Sequence, residues 1–288
     1  MSAQEIESER FCPESGPSFF IDSHCHLDFS DFDLDRGKIW RASKQCGVSS
    51  AIVPGVAPEQ WGRAKKIAKQ FNEIYYAVGV HPWWVNALFA HGESMDSVVA
   101  GLREQQRKAL KEKKCVAVGE CGLDKMIQAS AEHQYAIFDY QVKLAVEYDK
   151  PLIIHSRKAH NEVMHHIDRV DVARGGVIHA FSGSYELARQ YVDRGFYLGI
   201  GGTITYERAK KTRDALAKLP LESLLLETDA PDMPLQGKQG QRNSPEFIPD
   251  IAKVVAEIKN ESVEKVAQVT TQNACTLFSL EPAKFACS

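Results

Sequence analysis

Short apolar runs alternate with longer amphipathic segments along this chain. The apolar runs are FFIDSH (19–24), SSAIVPG (49–55), YYAVGV (75–80), CVAVGE (115–120), PLIIHS (151–156), GVIHAF (176–181), FYLGIG (196–201) and LLLETD (224–229). Their length and their enrichment in Val, Ile, Leu and Phe predict strands. Between them the spacing predicts helices over 35–46, 59–71, 94–114, 130–149, 158–170, 184–195 and 206–219, with two more at 245–260 and 262–280. In 130–149 the residues Ile137, Leu144 and Tyr148 form an apolar stripe flanked by Phe138 and Val142. The helix over 94–114 becomes cationic toward its end, where the helix dipole favours positive charge. Lys65-Lys66, Lys113-Lys114 and Lys210-Lys211 read as exposed helix charges rather than a nucleic-acid track.

Strands that are apolar almost throughout are expected where both faces are buried, as in a parallel sheet. Eight strand–helix units over about 270 residues fit a closed (β/α)₈ barrel of the TIM type. An open doubly wound sheet would want a Gly-rich phosphate turn after the first strand, and FFIDSHCHLDF contains none. Without an internal linker or repeat, residues 19–288 read as one catalytic domain. Residues 1–18 read as a flexible N-terminal extension.

Bulk properties narrow the partners. The net charge of −3 excludes a global basic field for nucleic acid or anionic lipid, so any phosphate must be attracted locally. Seven scattered cysteines without a CxxC pair suit a reduced, cytoplasmic chain. The polar, acidic start lacks the basic and apolar regions of a signal peptide. No apolar stretch approaches the ~18 residues that a membrane helix needs.

The informative residues sit at the strand ends, where a barrel of this kind places its active site. The first end gives His24-Cys25-His26, the third His81, the fourth Glu120, the fifth His155, the sixth His179, and the eighth Glu227-Thr228-Asp229. Residues two apart on a strand share a side, so His24 and His26 are expected to aim together while Cys25 turns away. Imidazoles and carboxylates in one place make an N/O site for a divalent metal. Six ligands (His24, His26, Glu120, His155, His179, Asp229) exceed one tetrahedral ion and suit two metals bridged by a carboxylate.

The motifs SHCHLD, GVHP, VGECGLD, PLIIHSR, GVIHAFSG and LLLETDAP stand in the order found in the TatD-type metal-dependent deoxyribonucleases of the amidohydrolase superfamily, which this chain resembles from about residue 20 onward. The resemblance implies a two-metal phosphodiesterase, often a 3′ to 5′ exonuclease on DNA. It implies His24, His26 and Asp229 on the first metal, Glu120 bridging, and His155 and His179 on the second. The chain departs from the pattern in its N-terminal extension. It departs again at Lys125-Met126-Ile127, where many relatives carry aromatic residues after GLD.

For the chemistry, Asp229 is expected to act as general base beside the bridging Glu120. Arg157, two residues after His155, is expected on the same side and able to fork onto a phosphate. His81 is a candidate donor to substrate oxygen, and Trp83, with Trp84 beside it in a loop, a candidate base-stacking residue. Arg242 and Asn243 are candidate rim contacts in the loop 230–244, and the remaining histidines read as solvated or packed. The cations are expected to be Mg²⁺, Mn²⁺ or Zn²⁺, and the partner DNA or a short oligonucleotide bound by a monomer. Two alternatives stand. One is a metallohydrolase for an amide, ester or lactone. Many relatives of that kind bridge their metals with a carboxylated lysine on the fourth strand, whereas Lys125 lies five residues beyond Glu120. The other is a metal-bearing binding protein without catalysis.

Overall fold

The computed structural model describes residues 19–281. The proposed extension over 1–18 therefore lies outside the described residues. Eight strands, β1 (Phe20–Asp22), β2 (Val48–Val53), β3 (Ile74–Val78), β4 (Cys115–Asp124), β5 (Leu152–Arg157), β6 (Gly176–Ile178), β7 (Phe196–Ile200) and β8 (Leu224–Leu226), form one sheet in sequence order. Every pairing is parallel. Helices α1 (Arg36–Gln45), α2 (Pro58–Gln70), α3 (Met95–Leu110), α4 (Ala131–Glu147), α5 (His160–Ile167), α6 (Tyr185–Val192) and α7 (Lys210–Lys218) connect the strands. Then α8 (Ile248–Lys259) and α9 (Val263–Phe278) follow β8. This is the (β/α)₈ barrel expected from the periodicity.

Two backbone hydrogen bonds draw the first and last strands together. Ser23 N–H donates to Leu226 O (3.0 Å), and Asp229 N–H donates to His24 O (2.9 Å). Ile21, Ile52, Ala77, Ala117, Ile153, Val177 and Leu225 come from seven strands yet form one cluster with the end of α9 (Cys275, Leu277, Phe278). Their alternation along the strands places them inside the barrel, with α9 closing its floor. A larger apolar layer, including Phe20, Trp40, Tyr76 and Phe138, lies between strands and helices.

Local chemistry explains most helix starts. Ser94, Ser130, Ser184 and Ser262 cap α3, α4, α6 and α9 by accepting the N–H three residues on, and Pro58 opens α2. Some expected boundaries move. The segment 206–219 begins as a 3₁₀ turn over Glu207–Ala209 and becomes α-helical only at Lys210. The cationic helix stops at Leu110, and Lys114 is not an exposed helix charge. Its ammonium bonds the carbonyls of Phe71 (2.8 Å) and Asn72 (3.1 Å), where α2 leaves its last carbonyls unpaired. Strand β4 runs four residues past Glu120, because Gly122 to Asp124 keep pairing with His155 to Arg157. Among the described residues no helix is long and apolar enough to cross a membrane.

Candidate metal centre

β1 ends at Asp22, so His24 and His26 stand on the irregular chain beyond it rather than on the strand. They converge all the same. Cys25 N–H bonds Ile52 O (3.0 Å) and His26 N–H bonds Ala230 O (2.8 Å), which holds the segment extended over the barrel mouth. The two Nε2 atoms lie 3.3 Å apart, while Cys25 is buried in the apolar layer. Asp22 ties this end to β8. Its carboxylate accepts from Thr228 Oγ1 (2.6 Å), Thr228 N (3.0 Å) and His24 N (3.2 Å), and burial pushes its pKa up to about 7.

Glu120 is the centre of the arrangement. Its backbone N–H donates to Gly55 O at 2.6 Å, and Gly79 passes so close that an added Cβ would lie 2.5 Å from Gly119. Only glycine at position 79 lets the third and fourth strand ends meet there. The two carboxylate oxygens face different partners. Oε2 lies 3.2 Å from His24 Nε2 and 3.8 Å from His26 Nε2. Oε1 lies 3.3 Å from His155 Nδ1, 3.4 Å from His81 Nε2 and 3.7 Å from His179 Nε2. Asp229 closes the first side, its Oδ1 3.4 Å from His24 Nε2 and 3.5 Å from His26 Nε2. Its Oδ2 lies 3.9 Å from His179 Nε2.

Further carboxylates fix which imidazole nitrogen points inward. His179 Nδ1 lies 3.0 Å from Glu227 Oε1, which leaves Nε2 toward Glu120. His155 is reversed: Nε2 meets Asp124 Oδ2 at 3.3 Å and Nδ1 faces Glu120. The outer carboxylate can keep the proton on the nitrogen it touches, so that the nitrogen facing Glu120 is the one that would offer a lone pair to a cation. His81 is different. Trp83 N–H already donates to His81 Nδ1 (3.1 Å), so its inward Nε2 carries the proton and is a donor rather than a ligand. Burial pushes the His81 pKa down to about 3, in keeping with a neutral ring.

The residues fit a divalent cation. Nitrogen and oxygen atoms of His24, His26 and Asp229 and of His24, Glu120 and His179 gather within 4.8 Å; those of Glu120 and His155 do so with His81, which stands by as a donor. Burial alone would raise the Glu120 and Asp229 carboxyls, but the surrounding histidines outweigh it and hold both below the usual range. Burial likewise opposes a proton on His179, yet Glu227, Asp229 and Glu120 lift it to about 10. A cluster anionic enough to hold that proton suits a cation with N/O preference.

The whole described barrel, residues 21–279, matches the family model described as TatD related DNase. This chain belongs to the TatD family. It is 44% identical over 263 residues to the uncharacterized metal-dependent hydrolase YjjV of Escherichia coli K12, covering 91% of this chain and 98% of the relative. It is 38% identical to an uncharacterized metal-dependent hydrolase of Haemophilus influenzae, covering 90% of this chain and 99% of the relative. The crystal structure of the YjjV TatD homologue superposes with a TM-score of 0.84 at 43% identity, covering 91% of this chain and 98% of that one. The protein is thus a TatD-family metal-dependent hydrolase.

Within this TatD barrel, His24, His26, Glu120, His155, His179 and Asp229 come together as the sequence suggests, though His179 stacks on His24 (3.7 Å) and lies between the two halves. Arg157 is exposed at the last position of β5, and its side chain makes no hydrogen bond or ion pair with the described residues. Trp83 belongs to a 3₁₀ helix, Pro82–Phe89, rather than a loop. Arg242 and Asn243 serve the scaffold: Arg242 pairs with Asp35 (2.6 Å), and Asn243 holds the Thr228 and Met233 carbonyls. Because β4 runs on past Glu120, Lys125 directly follows the strand, and its ammonium pairs with Glu162. His133 stacks on Phe89, His160 meets Ser156 and Tyr191, and His166 meets Asp139.

Sequence reasoning assigned no role to Asp124 or Glu227. Strand periodicity does not find Glu227, because β8 ends at Leu226 and Asp229 has a φ of 59°, so Glu227 and Asp229 meet opposite nitrogens of His179. In the structure Gly199 makes room for it: a Cβ there would collide with Glu227 Oε2.

Proposed function

We propose that this protein hydrolyses phosphodiester bonds with two divalent cations, Mg²⁺, Mn²⁺ or Zn²⁺, and acts on DNA as a 3′ to 5′ exonuclease. The observation that carries the reading is the split of Glu120, whose two oxygens face two separate sets of imidazole nitrogens. One carboxylate can then bridge a pair of cations. His24, His26 and Asp229 would hold the first, and His155 and His179 the second. Such a pair acidifies water and holds phosphate oxygens at both ends of an in-line displacement.

The chain's own groups supply the rest. Asp229, whose side chain is 14% exposed, accepts the proton of the attacking water on Oδ2. The P–O3′ bond breaks as the water oxygen bonds to phosphorus. His81 Nε2–H donates to the oxygen on which charge develops. Trp83, 55% exposed beside the mouth, offers a face to the terminal base. Arg157 is free to meet the next phosphate. A cytoplasmic, monomeric enzyme completes the reading; the compartment is supported by five buried cysteines among the described residues.

The deciding experiment incubates 3′- and 5′-labelled single-stranded DNA with each cation, with and without chelator. Stepwise release of mononucleotides from the 3′ end, abolished by chelator, is expected. Hydrolysis confined to carboxylic esters or amides would replace the reading with the carbonyl-directed alternative. Bound metal without any hydrolysis would leave a binding protein.

A further inference from the structure

The rim of the barrel and its metal-facing histidines meet at one buried carboxylate. Asp124 is 1% exposed, yet both its oxygens are occupied from different directions. Oδ2 takes His155 Nε2–H from the interior (3.3 Å) and Trp83 Nε1–H from the rim (2.9 Å). Oδ1 accepts the Met126 backbone N–H (2.8 Å). The residue is itself fixed by Gln134, whose side chain accepts from Asp124 N (2.9 Å) and donates to Asp124 O (3.2 Å). Trp83 and Met126 are among the few large apolar side chains that stand in solvent, at 55% and 59% exposure. Exposed apolar groups beside a polar mouth mark a contact surface rather than core. Ordinarily an exposed indole wanders among rotamers. This one is pinned at its N–H to the acceptor that sets the His155 tautomer.

We infer that Asp124 is a positioning residue that locks the Trp83 indole at a fixed place relative to His155, making Trp83 a platform for the unpaired base next to the scissile phosphate. The platform part rests on the phosphodiesterase reading above, whereas the link from Asp124 to His155 does not. Three N–H donors converge on two carboxylate oxygens. Asp124→Asn keeps the shape but only one acceptor oxygen, so at least one donor must face an amide N–H. Trp83→Phe removes the pinned N–H and keeps a flat ring. Trp83→Ala removes both.

Two measurements separate the parts. Calorimetric titration of chelator-treated protein with Mn²⁺ needs no catalysis. Asp124→Asn is expected to weaken binding roughly 10- to 100-fold, the usual cost of losing a partner behind a ligand histidine. Trp83→Phe should stay within about threefold, since His155 keeps its acceptor. The second measurement compares a phosphorothioate oligothymidylate with the same strand abasic at its 3′ end. Wild type should prefer the intact strand roughly 5- to 150-fold, the span of stacking one base. Trp83→Ala should lose that preference, and Asp124→Asn and Trp83→Phe, which keep a flat ring without its anchor, should each lose most of it. A melting scan on each variant guards against misfolding. Unchanged Mn²⁺ affinity in a folded Asp124→Asn protein overturns the positioning role. Equal binding of both strands by wild type overturns the platform. Failure to cleave unmodified single-stranded DNA, with the Mn²⁺ result as expected, overturns the phosphodiesterase reading instead.

Discussion

Glu227 offers the sharpest test of how the centre is held. It is fully buried, with Oε1 accepting from Ala180 N–H (2.6 Å) and His179 Nδ1–H (3.0 Å), while Oε2 has no hydrogen-bond partner beside Gly199. Glu227→Ala leaves both donors without an acceptor. At about 1–3 kcal/mol for each buried orphan, the cost is roughly 2–6 kcal/mol. Relief of burying a carboxylate offsets part of this, but His179 simultaneously loses the anion that contributes most to raising its pKa. At roughly 2–4 °C per kcal/mol for a domain of this size, cation-free Glu227→Ala should melt about 5–15 °C below wild type. Glu227→Gln keeps an acceptor at Oε1 and places an amide nitrogen where Oε2 stands. One stranded group instead of two predicts a loss of only about 1–3 kcal/mol. Glu227→Ala frees the His179 ring to choose its tautomer and should weaken Mn²⁺ roughly 10- to 100-fold, whereas Glu227→Gln, which keeps that acceptor, should weaken it less. Scanning calorimetry of chelator-treated proteins and titration with Mn²⁺ measure the two effects. A Glu227→Ala protein that melts within about 2 °C of wild type, or one that binds Mn²⁺ as tightly, refutes the role given to this carboxylate.

Glu120→Ala should lose metal and activity together, because both halves of the site share that side chain; metal analysis beside a nuclease assay checks it, and a metal-loaded, active variant would remove the bridge. Asp229→Asn should cut kcat by roughly 10²-fold or more, in the range of lost general-base catalysis, with little change in KM. Steady-state kinetics on DNA decides this, and unchanged kcat excludes Asp229 as base. Glu112 carries a pH prediction. Burial raises its carboxyl, but the Lys65 ammonium and the Tyr76 hydroxyl (3.2 Å) outweigh it and hold it below the usual value. Its contribution is therefore present above about pH 4.5 and lost as pH falls through the lower folded value. Because the pair is one-third exposed, Glu112→Gln should cost no more than about 1 kcal/mol at pH 7, with the Tm difference from wild type shrinking below about pH 4.

The barrel was legible because its strands are buried on both faces and its helices carry one apolar stripe, so period and length agree at every level. The six convergent side chains were legible because a polar group that ends an apolar strand is costly to bury unless something at the barrel mouth satisfies it. What stayed hidden depended on where backbone pairing stops. Asp124 looked like loop only because β4 was ended at Glu120, and no pattern shows that Gly122 continues the ladder against His155. That Arg157, at the very end of β5, reaches solvent without a partner among the described residues depends on where the strand stops and not on residue type. The tautomer of His81 depends on a backbone N–H two residues along, which is a matter of conformation rather than of residue type.

The geometry joins stability to function at one place. Within the sheet each neighbouring pair of strands has a paired register, but the first and last strands meet through the Ser23–Leu226 and Asp229–His24 hydrogen bonds. His24, His26 and Asp229, the proposed ligands of the first cation, stand on this seam. A cation bound there ties the two ends of the barrel together and binds the folded state alone. At about 100 times its Kd it should stabilise the protein by about 2.7 kcal/mol, worth roughly 5–10 °C in Tm. The gain should be local as well as global. Opening the seam releases the ligands, so amide exchange at Ser23 and Asp229 should slow by the full binding energy, up to about 100-fold. Frayed amides on the outer helices, which open without disturbing the site, should not change. Hydrogen exchange with and without Mn²⁺ reads both. If Tm rises while Ser23 and Asp229 exchange as before, the cation sits elsewhere, and the seam owes its closure to the backbone alone.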